Sequence, residues 1–405
     1  MKIAIIGAGA AGCFCAANIN HELGLEVVVF EKTGKVMQKV KVSGGGRCNV
    51  THEYSKGDAF EQNYPRGAQF IKKAIHHFSP LDTVQWFQKA GVTLKTEKDG
   101  RMFPNTNDSQ TIIDAIWSKV IANGVQVRYN HSLQNIEHID SRFKLHFDNN
   151  SPQIFDKVVI TTGGMLAPGK FDWLLKLGHT INKPVPSLFT FNLPRHSITQ
   201  LMGVAVPEAT VKIKGTKISE SGPVLITHWG LSGPAVLKCS AFAARTLAEN
   251  NYNFEFTVNW LGNTTENVLR EELNSMRSGF GKSLVFNKNP FTLSKRFWEY
   301  LLLTCGVKEE AKWGELPSTA QNKLIENLIR MPFKAQGKTT FKEEFVTCGG
   351  VSLNEIQHQS MESKIVPGLY FAGETLDVDG ITGGYNFQHA WCSAFIAASH
   401  INQLN

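Results

Sequence analysis

The first twenty residues, MKIAIIGAGAAGCFCAANIN (1–20), decide the fold. A short apolar strand, Lys2 to Ile6, runs straight into Gly7, Gly9 and Gly12, and an Ala-rich helix pattern follows. A second apolar strand, EVVVF (26–30), ends at Glu31, 19 residues after the last glycine. This spacing is that of a βαβ unit built to hold a dinucleotide. Gly7 permits the tight turn, Gly9 lets backbone approach a pyrophosphate, and Gly12 lets the helix pack close to the strand. Ala10 and Ala11 fall in the first helical turn, whose free amides and positive dipole favour phosphate. Glu31, with Lys32 beside it, is placed to accept from a ribose hydroxyl, and an acid there repels the 2′-phosphate of NADP. The motif alone does not separate NAD from FAD.

Two later stretches separate them. DKVVITTGGM (156–165) reads as a buried strand entering the turn Thr161, Thr162, Gly163, Gly164, which returns the chain to the parallel sheet. PGLYFAGETLDVDGITGGYNFQHA (367–390) reads as a strand, a turn at Gly373 and Glu374, a Gly-rich loop and a helix. Glu374, with Asp377 after it, would stand beside a ribityl chain or pyrophosphate. Gly383, Gly384, Tyr385 and Asn386 open the last helix, whose amides can face an electron-rich ring edge. A cofactor touched by both chain ends is the habit of FAD enzymes rather than of plain NAD dehydrogenases. The expected organisation is α/β: a Rossmann-like FAD-binding domain with a parallel sheet in three layers, formed by 1–186 and 342–405. A β-rich piece (187–262) and a small helical piece (263–341) are inserted.

With 42% hydrophobic and 19% charged residues, the 405-residue chain has an ordinary globular composition. Its longest apolar runs, Ile3–Ile6 and Val27–Phe30, are far shorter than the ~20 residues of a membrane helix. No signal-peptide pattern opens the chain, so a cytoplasmic location without membrane attachment is expected. Seven cysteines without a CxxC pair argue against a zinc site or a disulfide framework, and no metal is expected. The net charge of +7 is uneven, because residues 187–341 hold 18 Lys/Arg against 12 acids, a net +6. Such a surplus suits either a solvated basic face or RNA.

Within the insert, LFTFNL, GVAVPEATVKIKG, GPVLITHWG and NFEFTVNW read as strands, and LSGPAVLKCSAFAARTLAE turns helical near Gly233 and Pro234. Residues 264–335 read as short helices. SGFGKSL (278–284) imitates a phosphate-binding loop, but the first glycine of that pattern would stand at Met276 and no strand precedes it, which excludes nucleoside triphosphate binding there. No second GxGxxG appears, so electrons would come from NAD(P)H visiting the flavin transiently or from the substrate itself. His228 and Trp229 in THWGLSGP (227–234) are the insert's candidates for substrate contact. His228 there is either a proton donor or a half-buried histidine bonded to backbone.

The stretch KVSGGGRCNVT (41–51) remains. Alone it fits a phosphate cradle, a cysteine nucleophile in a tight turn, or a flexible loop. Together with GAGAAG, GRMFP (100–104), TTGG, THWGLSGP, TCGGVSLNEI with MESK (347–364), and GLYFAGETLDVDGITGGYNFQHA, it resembles the BaiN/YhiN-like bacterial flavoproteins, a family of NAD(P)/FAD-dependent oxidoreductases. The resemblance follows the same order along almost the whole chain. It implies a two-dinucleotide-reductase-like domain with non-covalent FAD, and a few members have been linked to reducing activated double bonds of steroid-like compounds. It also implies that the glycine run lies over the pyrophosphate and flavin. Ser43, Gly44, Gly46, Arg47, Cys48 and Asn49 are then cofactor contacts, and Val127 is expected to be a further one. The family commonly has a lysine where this chain has Gly45, so that lysine's role falls to Lys39 or Lys41 or is absent.

The reading is therefore an FAD-dependent oxidoreductase that moves a hydride between flavin N5 and a small organic molecule bound between the FAD domain and the insert. His228 or Tyr385 would handle the proton, with Cys48 a third catalytic candidate. Nucleic acid is not the expected partner. The two rival readings are a flavoprotein acting on tRNA through the basic insert and a non-catalytic FAD sensor.

Overall fold

The computed structural model describes residues 1–148, 150–164, 166–167, 169–339 and 346–404. It divides into two units, Met1–Ser187 with Phe341–Asn405, and Leu188–Thr340.

In the first unit five parallel strands form one sheet, in the order Leu369–Phe371, Lys157–Ile160, Lys2–Ile6, Glu26–Phe30, Gln126–Arg128. Ile3–Ile6 and Val27–Phe30 are buried without interruption, as strands covered on both faces must be. The last strand of the chain thus lies next but one to the first, and both chain ends enter one sheet. Helix Ala10–Asn18 packs between helices Ser109–Ala122 and Tyr385–Asn402. Phe14 meets Trp391 with ring centroids 5.0 Å apart, and the Trp391 indole donates to the Val50 carbonyl at 3.0 Å. A second layer is a three-stranded antiparallel sheet, Leu133–Ile139, Arg142–Phe147 and Gln153–Phe155. Phe147 and Phe155 of this layer pack on Phe30 of the parallel sheet.

The second unit is built on seven strands whose order begins at Met331–Gln336 and ends at Lys338–Thr339. These two outermost strands are neighbours in the chain, separated only by Gly337, so the sheet has to curl back on itself like a barrel. Helices Glu266–Gly279, Lys295–Thr304 and Ser318–Ile329 close it. One continuous core runs from Phe189 to Ala335 and contains Trp260, Trp298 and Trp313. The division at residue 262 expected from sequence is therefore not a structural boundary. Strand Met331–Gln336 returns after the helices to pair with Asn253–Asn259. Pro332 is tolerated in it because this strand has a partner on one side only.

A buried ion pair ties two loops of the first unit together. Arg66 grips Asp379 with two nitrogens, one of them at 2.6 Å, and Ser187 donates to the same carboxylate at 2.9 Å. Asp379 is fully buried. Removing one partner of such a pair leaves a buried charge uncompensated, which costs about 3–5 kcal/mol. Arg66→Met should lower unfolding free energy by about that amount. Adding Asp379→Leu should recover most of the loss, as denaturant titration would show.

Candidate functional site

The site starts at the end of strand Lys2–Ile6. Gly7 has φ +108° and donates to the Phe30 carbonyl at 2.8 Å. A methyl group on Gly12 would overlap the Gly7 carbonyl oxygen, whereas one on Gly9 would meet nothing within 4 Å. Gly12 therefore serves packing, and Gly9 faces open space. The Thr161 hydroxyl holds the turn by bonding the carbonyls of Ile6 and Gly7 at 3.0 and 2.9 Å. Helix Ala10–Asn18 begins with no side-chain cap and no acid in its first turn. Its first amides thus want acceptors from elsewhere.

Glu31 reaches back to this turn. One carboxylate oxygen accepts from Ala8 N at 3.0 Å, and the other accepts from Thr33 N and Thr33 Oγ1 at 2.9 Å each. The turn is thereby joined to the end of the second strand, and the oxygen that accepts from Ala8 keeps acceptor capacity. Beside it opens a cavity of about 240 Å³ lined by Gly7, Glu31, Lys32, Thr162, His131 and Trp173 among others. Its outer wall is His131–Leu133, not Val127, which pairs with Val29 in the sheet.

The glycine run forms the next wall. Helix Gln38–Gly46 breaks at Ser43, and Gly44, Gly45 and Gly46 follow with φ of +58°, +69° and +82°. Only glycine holds three left-handed residues in a row without strain. Methyl groups on Gly45 and Gly46 would enter open space. Two expectations change here. Arg47 pairs with Glu97 at 2.6 Å and lies 4.0 Å from the centre of the Phe103 ring, so its charge already has a protein partner. Cys48 is fully buried, and burial pushes its thiol up to about 12 despite a hydrogen bond with Ser43. A neutral, enclosed thiol is neither a nucleophile nor a redox group, which removes Cys48 from the catalytic candidates.

The last part comes from the C-terminal segment. Gly373 has φ +72°, donates to Ser393 Oγ at 2.9 Å and accepts from His389 Nε2 at 3.1 Å. Glu374 accepts from Lys39 at 2.7 Å and from Thr347 N at 2.8 Å. Burial opposes its ionisation, but the Lys39 charge and the bonds from Lys39, Thr347 and Gly164 outweigh burial and hold the carboxyl below its usual range. Gly163 N donates to Thr375 Oγ1 at 3.2 Å, and a side chain on Gly164 would collide with the Thr347 side chain. Asp377 is a structural acid: it accepts from Asn182 at 2.7 Å, and its amide bonds the Val351 carbonyl at 3.0 Å.

Gly383 and Gly384, with φ of +131° and +94°, lead into helix Tyr385–Asn402. With its amide oriented as its neighbours require, Asn49 accepts from Gly384 N and donates to the Thr51 carbonyl, both at 3.0 Å. Asn386 clamps Gly380 by accepting from its amide at 2.8 Å and donating to its carbonyl at 2.9 Å. Tyr385 is buried, stacked 4.8 Å from His52 and edge-on to Tyr64, while Tyr64 Oη donates to the Tyr385 carbonyl at 2.7 Å. Burial raises the Tyr385 phenol well above its ordinary value, so it stays protonated. Its hydroxyl bonds no protein group among the described residues.

His228 lies outside this assembly in sequence and unit. It sits exposed at the turn between strands Ser219–Ile226 and Gly230–Ser232, its ring 4.4 Å from Trp229. The half-buried alternative for His228 does not hold. Sequence reading missed His52, Thr347 and His389. Nothing in their flanking residues marks them, although His389 stands four residues after Tyr385 on one helix.

FAD fits these residues. The acid-free helix start and the open space at Gly9 suit a pyrophosphate, the cavity at Glu31 suits the adenosine half, and the buried Thr347 Oγ1 has no partner among the described residues. Among the described residues no cluster of three potential metal ligands occurs, and no helix is long and apolar enough to cross a membrane.

A dinucleotide turn, a glycine wall and a returning C-terminal helix define an FAD-dependent oxidoreductase. The chain belongs to the family described as HI0933-like protein Rossmann domain, whose model matches residues 1–400. It is 32% identical to the ribosomal RNA dihydrouridine synthase of Escherichia coli K12 over 98% of this chain and 97% of that one. It is 23% identical to the 3-dehydro-bile acid delta(4,6)-reductase of Clostridium scindens over 98% of both. In fold it is similar to the 3-ketosteroid delta1-dehydrogenase of Sterolibacterium denitrificans, with a TM-score of 0.52 at 12% identity, covering 100% of this chain and 99% of that one.

The two loop glycines should fail differently. Gly12→Ala should destabilise the protein by about 3 kcal/mol or more because backbone must move. Gly9→Ala should leave the melting curve of the apoprotein unchanged and weaken FAD retention, read by the flavin carried through gel filtration.

His389 should impose a pH dependence. Burial lowers its pKa from 6.5 to about 4, against the opposing bond to Gly373 and charge of Glu374. The folded state thus resists a proton that the unfolded state accepts. Its stabilising contribution is full above pH 6.5 and is lost as pH falls toward 4, by roughly 3 kcal/mol in all. His389→Gln should flatten that part of the profile in urea titrations across this window.

Proposed function

We propose that this protein reduces an activated carbon–carbon double bond of a uracil base in ribosomal RNA, with NAD(P)H as electron donor. The observation that carries the reading is the full-length likeness to two ribosomal RNA dihydrouridine synthases, 32% and 31% identical over 98% of this chain. The basic second unit supports it, since phosphate contacts dominate affinity for nucleic acid. The bile-acid relative supports the chemistry, because a uracil and an unsaturated ketone both present a double bond polarised by a carbonyl. Reduction adds a hydride to the carbon remote from the carbonyl and a proton to the carbon beside it.

When bound, FAD supplies the hydride from N5. The protein holds the pyrophosphate at the start of helix Ala10–Asn18 and the ribose at Glu31. Glu374, kept ionised by Lys39, and the Thr347 hydroxyl fix the polar wall near Gly164. Tyr385 is our candidate proton donor: it begins the helix that faces the flavin in this reading, and its hydroxyl is uncommitted. Its neutral form persists beyond the ordinary tyrosine range because it is buried. The second reading keeps this machinery and replaces the base with a steroid-like enone, as the bile-acid relative suggests.

Cells lacking the gene should lose dihydrouridine from ribosomal RNA, measured by mass spectrometry of digested nucleosides, and regain it with the intact gene. Unchanged dihydrouridine would overturn the ribosomal reading. With purified enzyme, Tyr385→Phe should keep the flavin spectrum and lower kcat by about 10²–10⁴-fold. The wild-type rate should not fall before pH ~10, the ordinary tyrosine value.

A further inference from the structure

The insert displays two aromatic rings on a backbone that cannot yield. At the turn 227–230, Thr227 N donates to the Gly230 carbonyl at 2.8 Å, and Thr227 Oγ1 accepts from Trp229 N and Gly230 N at 3.3 and 3.2 Å. Leu193 N donates to the Trp229 carbonyl at 2.8 Å. A side chain on Gly230 would overlap the Phe191 carbonyl, so the turn is tied to strand Thr190–Asn192 as well. The rings this frame presents, His228 and Trp229, face solvent, with Trp229 47% exposed. A tryptophan on a hydrogen-bonded turn with its ring in water offers a flat amphipathic face for contact.

The surroundings are cationic. The strap 193–203 runs beside the turn, bonded to it through Leu193 at one end and through Gly203 N to the Ile226 carbonyl, 2.9 Å, at the other. It carries exposed Arg195 and Met202, and Arg296 of helix Lys295–Thr304 bonds its Gln200 carbonyl at 3.2 Å. The strap 193–203 contains no Asp or Glu.

We infer that Trp229, with His228 against it, is a stacking platform for an unpaired base of the RNA substrate, and that Arg195 and Arg296 take its flanking phosphates. An aromatic face with adjoining arginines is how proteins hold single-stranded RNA. The inference rests on the RNA reading above and adds the surface that does the holding.

The test uses the FAD-loaded full-length protein and a fluorescein-labelled single-stranded oligouridylate, with binding read by anisotropy. Trp229→Ala should weaken binding roughly 5- to 150-fold, the loss of one stacked base, while Trp229→Phe should stay within about threefold of wild type. Arg195→Gln combined with Arg296→Gln should reduce the slope of log affinity against log salt by about 1.4, two phosphates at single-strand density. An unchanged flavin spectrum together with an unchanged urea-unfolding curve shows that both units of the variants fold. Trp229→Ala binding as tightly as wild type would overturn the platform, and so would binding too weak to detect at low salt. Protection of Trp229 by a neutral steroid enone but not by RNA would overturn it too and give the surface to the small-molecule reading. The cellular dihydrouridine measurement is independent. Its failure alongside Trp229-dependent binding would leave the platform standing and remove only the ribosomal target.

Discussion

The carbonyl oxygen of Gly7 leaves no room for a side chain at residue 12, and the dinucleotide half of the molecule depends on that approach. It brings the start of helix Ala10–Asn18 against the end of a central strand, with its first amides free of any cap. The Thr161 hydroxyl holds the Ile6 and Gly7 carbonyls, so the residue that follows strand Lys157–Ile160 enforces the turn made after Lys2–Ile6. Because the helix packs so close, Phe14 can reach Trp391, and the C-terminal helix is docked on the same surface. Both chain ends then meet at one sheet.

Charge at this site is controlled by enclosure. Glu374 is kept ionised in a buried place because Lys39 and two backbone amides reward the charge more than burial penalises it. Cys48, more fully enclosed, has no charged partner among the described residues and stays neutral. Tyr385 is pushed in the same direction as Cys48, and that makes it suitable as an acid. The same physical term excludes one candidate and favours another.

The insert solves a different problem. Its strand order ends on two segments separated by Gly337, which brings the two ends of the sheet together. Three helices fill the opening, and Trp298 of one of them joins Trp260 and Trp313 in the core. Its rigid turns can therefore hold polar and aromatic groups at the surface without loosening the core.

The sequence alone determined the βαβ start, the acid at its end and the three-glycine loop, because each depends on local backbone rules. Glycine is required where φ is positive or chains touch, and Glu31 lies a fixed distance along the unit. The strand-and-glycine pattern near residue 373 likewise disclosed the return of the chain to the parallel sheet. Tertiary structure decided what Arg47 and Asp377 do, since their partners Glu97 and Asn182 are 50 and 195 residues away. It decided that residues 263–339 belong to the same core as the strands before them, because Met331–Gln336 alternates buried and exposed only once Asn253–Asn259 lies beside it. It also singled out Thr347 and His389. An unpaired buried atom is a property of everything packed around it, and no spacing along the chain records that.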